Sequence, residues 1–195
     1  APHHGLEGLG VAHGHHLGHI QERGDYQTSW QPAHLGWEQL AAAQAMAKAI
    51  TDELGGAGLF GVEFFLCGDP AAPEVVFSEL SPRPHDSGLV TLAGENLSEF
   101  ELDLRAVLGL PIPAIRSLGP AASRVILAPE AAASLTYSGV DQALAIPDTQ
   151  VLLFGKPDAR PQRRMGVALA RGASENEARE RADRAAAAVM LHKRG

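Results

Sequence analysis

A single cysteine, Cys67, stands in the 195 residues, so no disulfide can form within the chain and a reducing compartment suits it. No apolar run approaches the roughly 20 residues that a bilayer-spanning helix needs. Basic charge is not in excess: 16 Lys and Arg meet 23 Asp and Glu, a formal net charge of −7. No global positive field therefore draws in nucleic acid, although local arginines can still bind small anions. No internal repeat is evident, and no secretory signal pattern is visible at the N-terminus. No Ser/His/Asp or Cys arrangement offers a convincing catalytic nucleophile, so no catalytic side chain is assigned. These absences point to a cytoplasmic globular protein that contacts neither membrane nor nucleic acid.

Of what is present, 45% is hydrophobic, enough to bury one large or two small cores. Two glutamates interrupt the apolar order: Glu63 within 59–66 (LFGVEFFL) and Glu79 within 75–80 (VVFSEL). A carboxylate inside an apolar strand is costly unless something pairs with it. The intervening stretch, with Gly68, Asp69, Pro70 and Pro73, reads as a turn. A hairpin centred on Ala71 would set Glu63 and Glu79 opposite each other on one face, their Cβ atoms about 5 Å apart. Like charges so placed call for a cation, and carboxylate oxygens completed by water and phosphate suit Mg²⁺.

The rest of the chain divides by periodicity. Residues 1–19 hold six of the nine histidines and five glycines without helix or strand period. That tract reads as a divergent terminal stretch, with a metal-binding tract as the weaker reading. The spacing predicts a helix over 35–54, with Leu40, Ala43, Met46, Ala47 and Ile50 on one stripe and Gly55-Gly56 ending it. A second helix is predicted over 96–108, with Ser98 and Glu101 at capping-box spacing and Phe100, Leu104, Val107 and Leu108 as its apolar face. After Pro113 come strand candidates at 123–127, 150–154 and 165–170, and an ambiguous segment at 137–146. A closing helix is predicted over 175–191, with Ser174 and Glu177 at capping-box spacing and Ala178, Ala182, Ala185 and Val189 inward.

A second constellation follows the strand that ends at Phe154-Gly155. A hairpin there would bring Lys156 close to Arg163 and Arg164, either as a phosphate clamp or as a solvated basic turn. Asp86 is read as a turn residue or as an acceptor for substrate amine or hydroxyl groups. Arg83, between Pro82 and Pro84, has a restricted direction, and His85 is read as a hydrogen-bonded structural histidine.

The stretches 24–32 (GDYQTSWQP), 58–65 (GLFGVEFF), 77–92 (FSELSPRPHDSGLVTL), 97–111 (LSEFELDLRAVLGLP), 119–127 (GPAASRVIL) and 153–170 (LFGKP…RRMGVALA) together carry a resemblance. They resemble the C-terminal half of formate-dependent phosphoribosylglycinamide formyltransferase, an ATP-grasp family, over roughly 18–190. The resemblance implies an α+β fold: the C-terminal part of an ATP-grasp domain over 18–112, then a small β-rich lobe with a closing helix over 113–195. Residues 1–17 match nothing in it.

By the same resemblance, Glu63 and Glu79 match Mg²⁺ ligands, Asp86 matches a contact to glycinamide ribonucleotide, and Lys156, Arg163 and Arg164 match its basic ribonucleotide-binding residues. The family converts ATP, formate and that ribonucleotide through formyl phosphate in purine synthesis, and is expected to be homodimeric. This chain corresponds to the later half, so most ATP contacts are expected outside it and turnover is not expected from it alone. The hairpin turn is longer than is typical for the family. The alternative within the superfamily is 5-(carboxyamino)imidazole ribonucleotide synthase, which has a similar PRPH segment. There, Asn typically follows that segment and the later motif continues Arg-Lys-Met-Gly-His, whereas this chain has Asp86 and Arg163-Arg164-Met165-Gly166-Val167. A non-catalytic ribonucleotide-binding remnant is the reading from outside the enzyme class.

Overall fold

The computed structural model describes residues 16–22, 25–69 and 71–193. Most of the His- and Gly-rich tract, and any metal reading of it, lies outside them. The elements in chain order are β1 (Gly18–Glu22), β2 (Asp25–Gln31), α1 (Trp37–Leu54), β3 (Gly61–Cys67) and β4 (Glu74–Ser81). A 3-10 turn at Asp86–Val90 leads into α2 (Thr91–Gly94) and α3 (Glu99–Leu108). Then come β5 (Ala121–Leu127), β6 (Leu135–Ser138), α4 (Val140–Leu144), β7 (Thr149–Leu153), β8 (Arg164–Arg171), α5 (Glu175–Ala188) and β9 (Met190–Lys193). Two compact units interleave along the chain. The first takes His34–His85 and Phe100–Pro113; the second takes the described part of His15–Ala33, with Asp86–Glu99 and Ala114–Gly195.

In the first unit, α1 turns its predicted stripe inward: Ala43 is buried, and Leu40, Met46, Ala47 and Ile50 are half-buried. Gly55, at φ 65°, ends the helix in a conformation that costs glycine little, and its N–H donates to the Thr51 carbonyl at 3.1 Å. Gln39 Nε2 donates to the Pro73 carbonyl at 3.3 Å and so ties α1 to the β3–β4 turn. The Asp103 carboxylate accepts from the Leu59 N–H at 3.1 Å and ties α3 to the lead-in of β3.

The apolar face predicted for α3 is real in its spacing but does not point into a core. Phe100, Leu104, Val107 and Leu108 are between 46% and 63% exposed, while Leu102 is buried.

The second unit is a five-stranded antiparallel sheet in the order β1-β2-β5-β8-β7. Strand β8, between β5 and β7, is covered on both faces, so its side chains are buried without alternation. On one face, Ala121, Val167 and Leu169 pack against Leu89, Val90 and Ala93 of the turn and α2. On the other, Ala122 and Ala170 meet Ala178 and Ala182 of α5, and Ala168 meets Ala185. Small side chains on both partners let helix and sheet approach closely, so added volume there would overpack. Ser174 caps α5 as its spacing predicts: its hydroxyl accepts from the Glu177 N–H at 3.2 Å. The Glu177 carboxylate returns to the Ala173 N–H at 2.7 Å, one residue before the cap.

The elements differ in places from the sequence expectation, and α3 begins at Glu99 rather than at residue 96. The closing helix stops at Ala188 rather than Leu191, because Met190–Lys193 pairs with Leu135–Ser138 as a strand ladder. The ambiguous segment resolves into the end of β6 followed by α4. Strands β1 and β2 carry no apolar alternation, and polar side chains take its place. Thr28 Oγ1 donates to the Ser123 carbonyl at 2.7 Å, and Gln31 Nε2 donates to the Gly94 carbonyl at 2.9 Å. The hydroxyls of Tyr26, Ser29 and Ser123 close a buried triangle with sides of 2.5, 2.9 and 2.8 Å. Burial outweighs these hydrogen bonds and pushes the Tyr26 hydroxyl pKa up to about 12.

Candidate functional site

The first candidate lies in the first unit. From the turn, β3 and β4 pair Cys67 with Glu74, Leu66 with Val75, Phe65 with Val76 and Phe64 with Phe77. The turn itself is set by Asp69, whose carbonyl accepts from Ala72 N–H at 3.0 Å and whose carboxylate accepts from Ala71 N–H at 2.9 Å. Beyond Phe77 the register shifts: Ser78 is left over as a bulge, and Glu63 pairs directly with Glu79. The symmetric hairpin expected from the sequence would oppose the same two residues without a bulge. The bulge separates two pairs onto opposite faces, with Phe64 and Phe77 meeting edge-on at 6.3 Å.

Glu63 is buried and Glu79 is half-exposed. His85 stands between them, four residues past the end of β4, after Pro82-Arg83-Pro84. Its Nδ1 is 3.2 Å from Glu63 Oε1 and its Nε2 is 3.4 Å from Glu79 Oε1. Ser81 Oγ donates to Glu79 Oε1 at 3.5 Å. One ligand atom from each of Glu63, Glu79 and His85 lies within 4.8 Å of the others. Two carboxylate oxygens and an imidazole nitrogen so grouped fit a divalent cation. The histidine, read from the sequence as structural, belongs to this group.

The second candidate lies in the second unit, at the connection between β7 and β8. Phe154 N–H donates to the Met165 carbonyl at 2.8 Å, which extends the hairpin past β7. The loop beyond is pinned to the residues after β5: Gln162 N–H donates to the Ala128 carbonyl, and Ala128 N–H donates back to Arg163, each at 2.9 Å. Ala132 and Ala159 exchange two backbone bonds, of 3.1 and 2.8 Å. Lys156, Arg160, Arg163 and Arg164 thereby line one open concavity of about 490 Å³, with Asp25, Pro161 and Gln162.

Two of these cations are held in place. Arg163 Nη1 donates to the Asp158 carbonyl at 3.2 Å and to its carboxylate. Arg164 forms an ion pair with Asp86, the first residue of the 3-10 turn. Lys156 Nζ lies 5.4 Å over the Phe154 ring. Burial holds the Lys156 ammonium below its ordinary pKa, and repulsion from Arg163, Arg164 and Arg160 adds to this, while Asp86 opposes it. The structure thus groups the four residues singled out for ribonucleotide binding: Asp86, Lys156, Arg163 and Arg164. Arg160 and Asp25 went unnoticed. Arg160 was legible as a fourth cation within 156–164, whereas nothing in the sequence marks Asp25.

Residues 7–100 match the family model described as ATP-grasp domain, and residues 121–189 match that described as PurT, C-terminal. Over 176 residues the chain is 69% identical to the formate-dependent phosphoribosylglycinamide formyltransferase of Synechococcus sp. (strain WH7803), covering 90% of this chain and 44% of that protein. Its fold is similar to that of glycinamide-RNase-transformylase T from Mycobacterium tuberculosis, with a TM-score of 0.72 at 35% identity over 89% of this chain and 44% of that one. It is also similar to that of N5-carboxyaminoimidazole ribonucleotide synthetase from Thermotoga maritima, with a TM-score of 0.77 at 30% identity over 86% of this chain and 46% of that one. The chain spans less than half the length of the relatives it matches. No helix among the described residues is long and apolar enough to cross a membrane.

Proposed function

We propose, for a chain that belongs to the formate-dependent phosphoribosylglycinamide formyltransferases of the ATP-grasp superfamily, that it supplies the ribonucleotide clamp and cation-binding carboxylates of such an enzyme. The observation that carries the reading is a concavity that presents Lys156, Arg163 and Arg164, with Arg164 paired to Asp86. Glycinamide ribonucleotide has a 5′-phosphate and a primary amine, one for each charge of that pair. The phosphate takes bidentate hydrogen bonds from arginine and a point charge from Lys156. Asp86 accepts from the substrate amine or hydroxyls.

Formate is a poor acyl donor until it is phosphorylated. Transfer of the ATP γ-phosphoryl group to formate gives ADP and formyl phosphate. The substrate amine then attacks the formyl carbon, inorganic phosphate leaves, and the nitrogen gives up a proton to form the amide. No protein nucleophile is required, and positioning supplies most of the catalysis. Glu63 and Glu79 are the residues that would hold Mg²⁺, whose charge offsets that of the phosphates during phosphoryl transfer. ATP, formate and the ribonucleotide are substrates of the whole enzyme, which is more than twice as long as the matched segment. A homodimer in the cytoplasm belongs to the same reading, and the single free, exposed Cys67 is compatible with that compartment.

The likeness to the Thermotoga maritima synthetase supports a second reading, in which the concavity takes an aminoimidazole ribonucleotide. Asp86 and the Arg163–Val167 motif favour the first. Calorimetric titration of the protein with each ribonucleotide distinguishes them. Saturable binding of glycinamide ribonucleotide, at least about tenfold tighter than the aminoimidazole ribonucleotide, supports the proposal; ten-fold corresponds to 1.4 kcal/mol. The reverse preference supports the synthetase reading, and binding of neither overturns both.

A further inference from the structure

The chain has three lysines, and two of them are paired with a carboxylate. Lys48 Nζ is 2.5 Å from Asp52, one helical turn later, and Lys193 Nζ is 2.8 Å from Glu130. Lys156 has no ion-pair partner among the described residues, and shares its concavity with Arg160, Arg163 and Arg164 instead. Its backbone is fixed by a tight turn, in which its N–H donates to the Phe154 carbonyl at 2.6 Å. Asp158 and Asp86 hold Arg163 and Arg164, while Arg160 has no carboxylate partner among the described residues. A guanidinium has five N–H donors, so one that serves a carboxylate can still serve an anion. A lysine beside other cations keeps a larger neutral fraction than an isolated one, and the neutral amine is the nucleophile. The lowered Lys156 pKa agrees with this setting. A reagent that uses both the arginines and the amine is an acyl phosphate. Its charge is confined to the phosphate, which suits the arginines, and its acyl end is neutral and electrophilic.

We propose that Lys156 is a site of Nε-acylation by small acyl phosphates, held by their phosphate on Arg160, Arg163 and Arg164. The Nζ lone pair attacks the acyl carbon, and the bond from that carbon to the bridging phosphate oxygen breaks. The phosphate leaves with the electron pair and takes up the proton that the nitrogen releases. The products are an Nε-acyl amide and inorganic phosphate, with no further reactant. The amide carries no charge, so acylation removes the point charge that Lys156 offers to a phosphate. The acylated protein should therefore bind phosphate monoesters more weakly. The proposal rests on the anion-binding part of the reading above and not on the ribonucleotide. Any phosphate compound that fills the concavity should protect the lysine.

The test uses acetyl phosphate as the probe, with peptide mass spectrometry following each of the three lysines over time. In wild type, Lys156 should be acetylated about tenfold or more faster than Lys48 and Lys193, because the cradle holds the reagent beside it. Inorganic phosphate should slow Lys156 and leave the other two unchanged. Acetic anhydride carries no phosphate, so its reaction at Lys156 should not respond to inorganic phosphate. Arg160→Gln should slow acetylation of Lys156 by acetyl phosphate and not by acetic anhydride, which separates a lost cradle from a lost fold. Equal rates at the three lysines, or a Lys156 rate that inorganic phosphate and Arg160→Gln leave unchanged, would overturn the proposal. Protection of Lys156 by inorganic phosphate but not by glycinamide ribonucleotide would support the acylation site and count against the ribonucleotide reading. Calorimetric binding of the ribonucleotide by a protein that acetyl phosphate labels evenly would do the reverse.

Discussion

Glu63 and Glu79 stand directly opposite each other because Ser78 bulges out of β4; in an unbroken ladder continuing from Phe64–Phe77, Glu63 would meet Ser78 instead. The bulge turns Glu79 from the Phe77 face to the Glu63 face. Opposed like charges destabilise a strand pair by up to about 1 kcal/mol, so the arrangement costs stability unless a cation is present.

The first prediction follows from that cost. Glu79→Gln should melt no lower than wild type in the presence of a chelator, because it removes repulsion from a half-exposed position. Wild type should gain about 1.4 kcal/mol at a Mg²⁺ concentration ten times its Kd, and the variant should gain far less. Thermal denaturation with and without Mg²⁺ reads both.

Lys156 gives a pH dependence. Its lowered pKa means that the ammonium is already uncomfortable among Arg163, Arg164 and Arg160, and a bound phosphate dianion relieves it. The charged form binds better. Affinity for a phosphate monoester should therefore be full below the lowered pKa and fall as pH rises through it, earlier than for an ordinary lysine near 10.4. Lys156→Met should bind more weakly at neutral pH and lose that part of the alkaline decline. Calorimetric titrations from neutral pH to about 10 compare the two.

Tyr26 predicts a different alkaline effect, on stability. An unfolded tyrosine titrates near 10, whereas the buried hydroxyl holds its proton to about 12. Between those values the unfolded chain releases a proton that the folded chain keeps, so stability is full below the lower value and falls as pH rises. Tyr26→Phe should show a shallower decline across that window. It should cost about 1 kcal/mol at neutral pH, where Ser29 and Ser123 lose a partner. Urea unfolding at neutral and alkaline pH measures both.

The exposed stripe of α3 predicts tolerance. Leu104→Lys removes a side chain that is 56% exposed, and should change the stability of this chain by less than about 0.5 kcal/mol. Leu102→Ala, on the buried side, should cost about 2 kcal/mol or more. Chemical denaturation of the two variants gives the contrast.

That contrast also shows where sequence reading reaches its limit. Periodicity at Phe100, Leu104, Val107 and Leu108 marks an apolar face but not whether anything covers it. Similarly, β2 was hidden because Gln27, Thr28, Ser29 and Gln31 are buried through hydrogen bonds, which leave no apolar alternation to count. The glutamate pair was legible because a carboxylate in an apolar run is already an electrostatic anomaly. Its means of alignment was not, since a bulge at Ser78 leaves no mark in composition. Lys156, Arg163 and Arg164 could be grouped from their places at the two ends of one loop. The partner that orients Arg164, Asp86, lies 78 residues earlier in the sequence and needed the fold to be seen.

The most direct test of the central claim is phosphorus magnetic resonance of glycinamide ribonucleotide titrated with the protein. The 5′-phosphate resonance should shift and broaden with wild type, and the effect should weaken about tenfold or more in Arg164→Ala, where a charge-assisted bidentate contact worth about 1.5–3 kcal/mol is lost. An unchanged resonance with wild type, or an equal response from Arg164→Ala, would contradict the assignment of this concavity to the ribonucleotide phosphate.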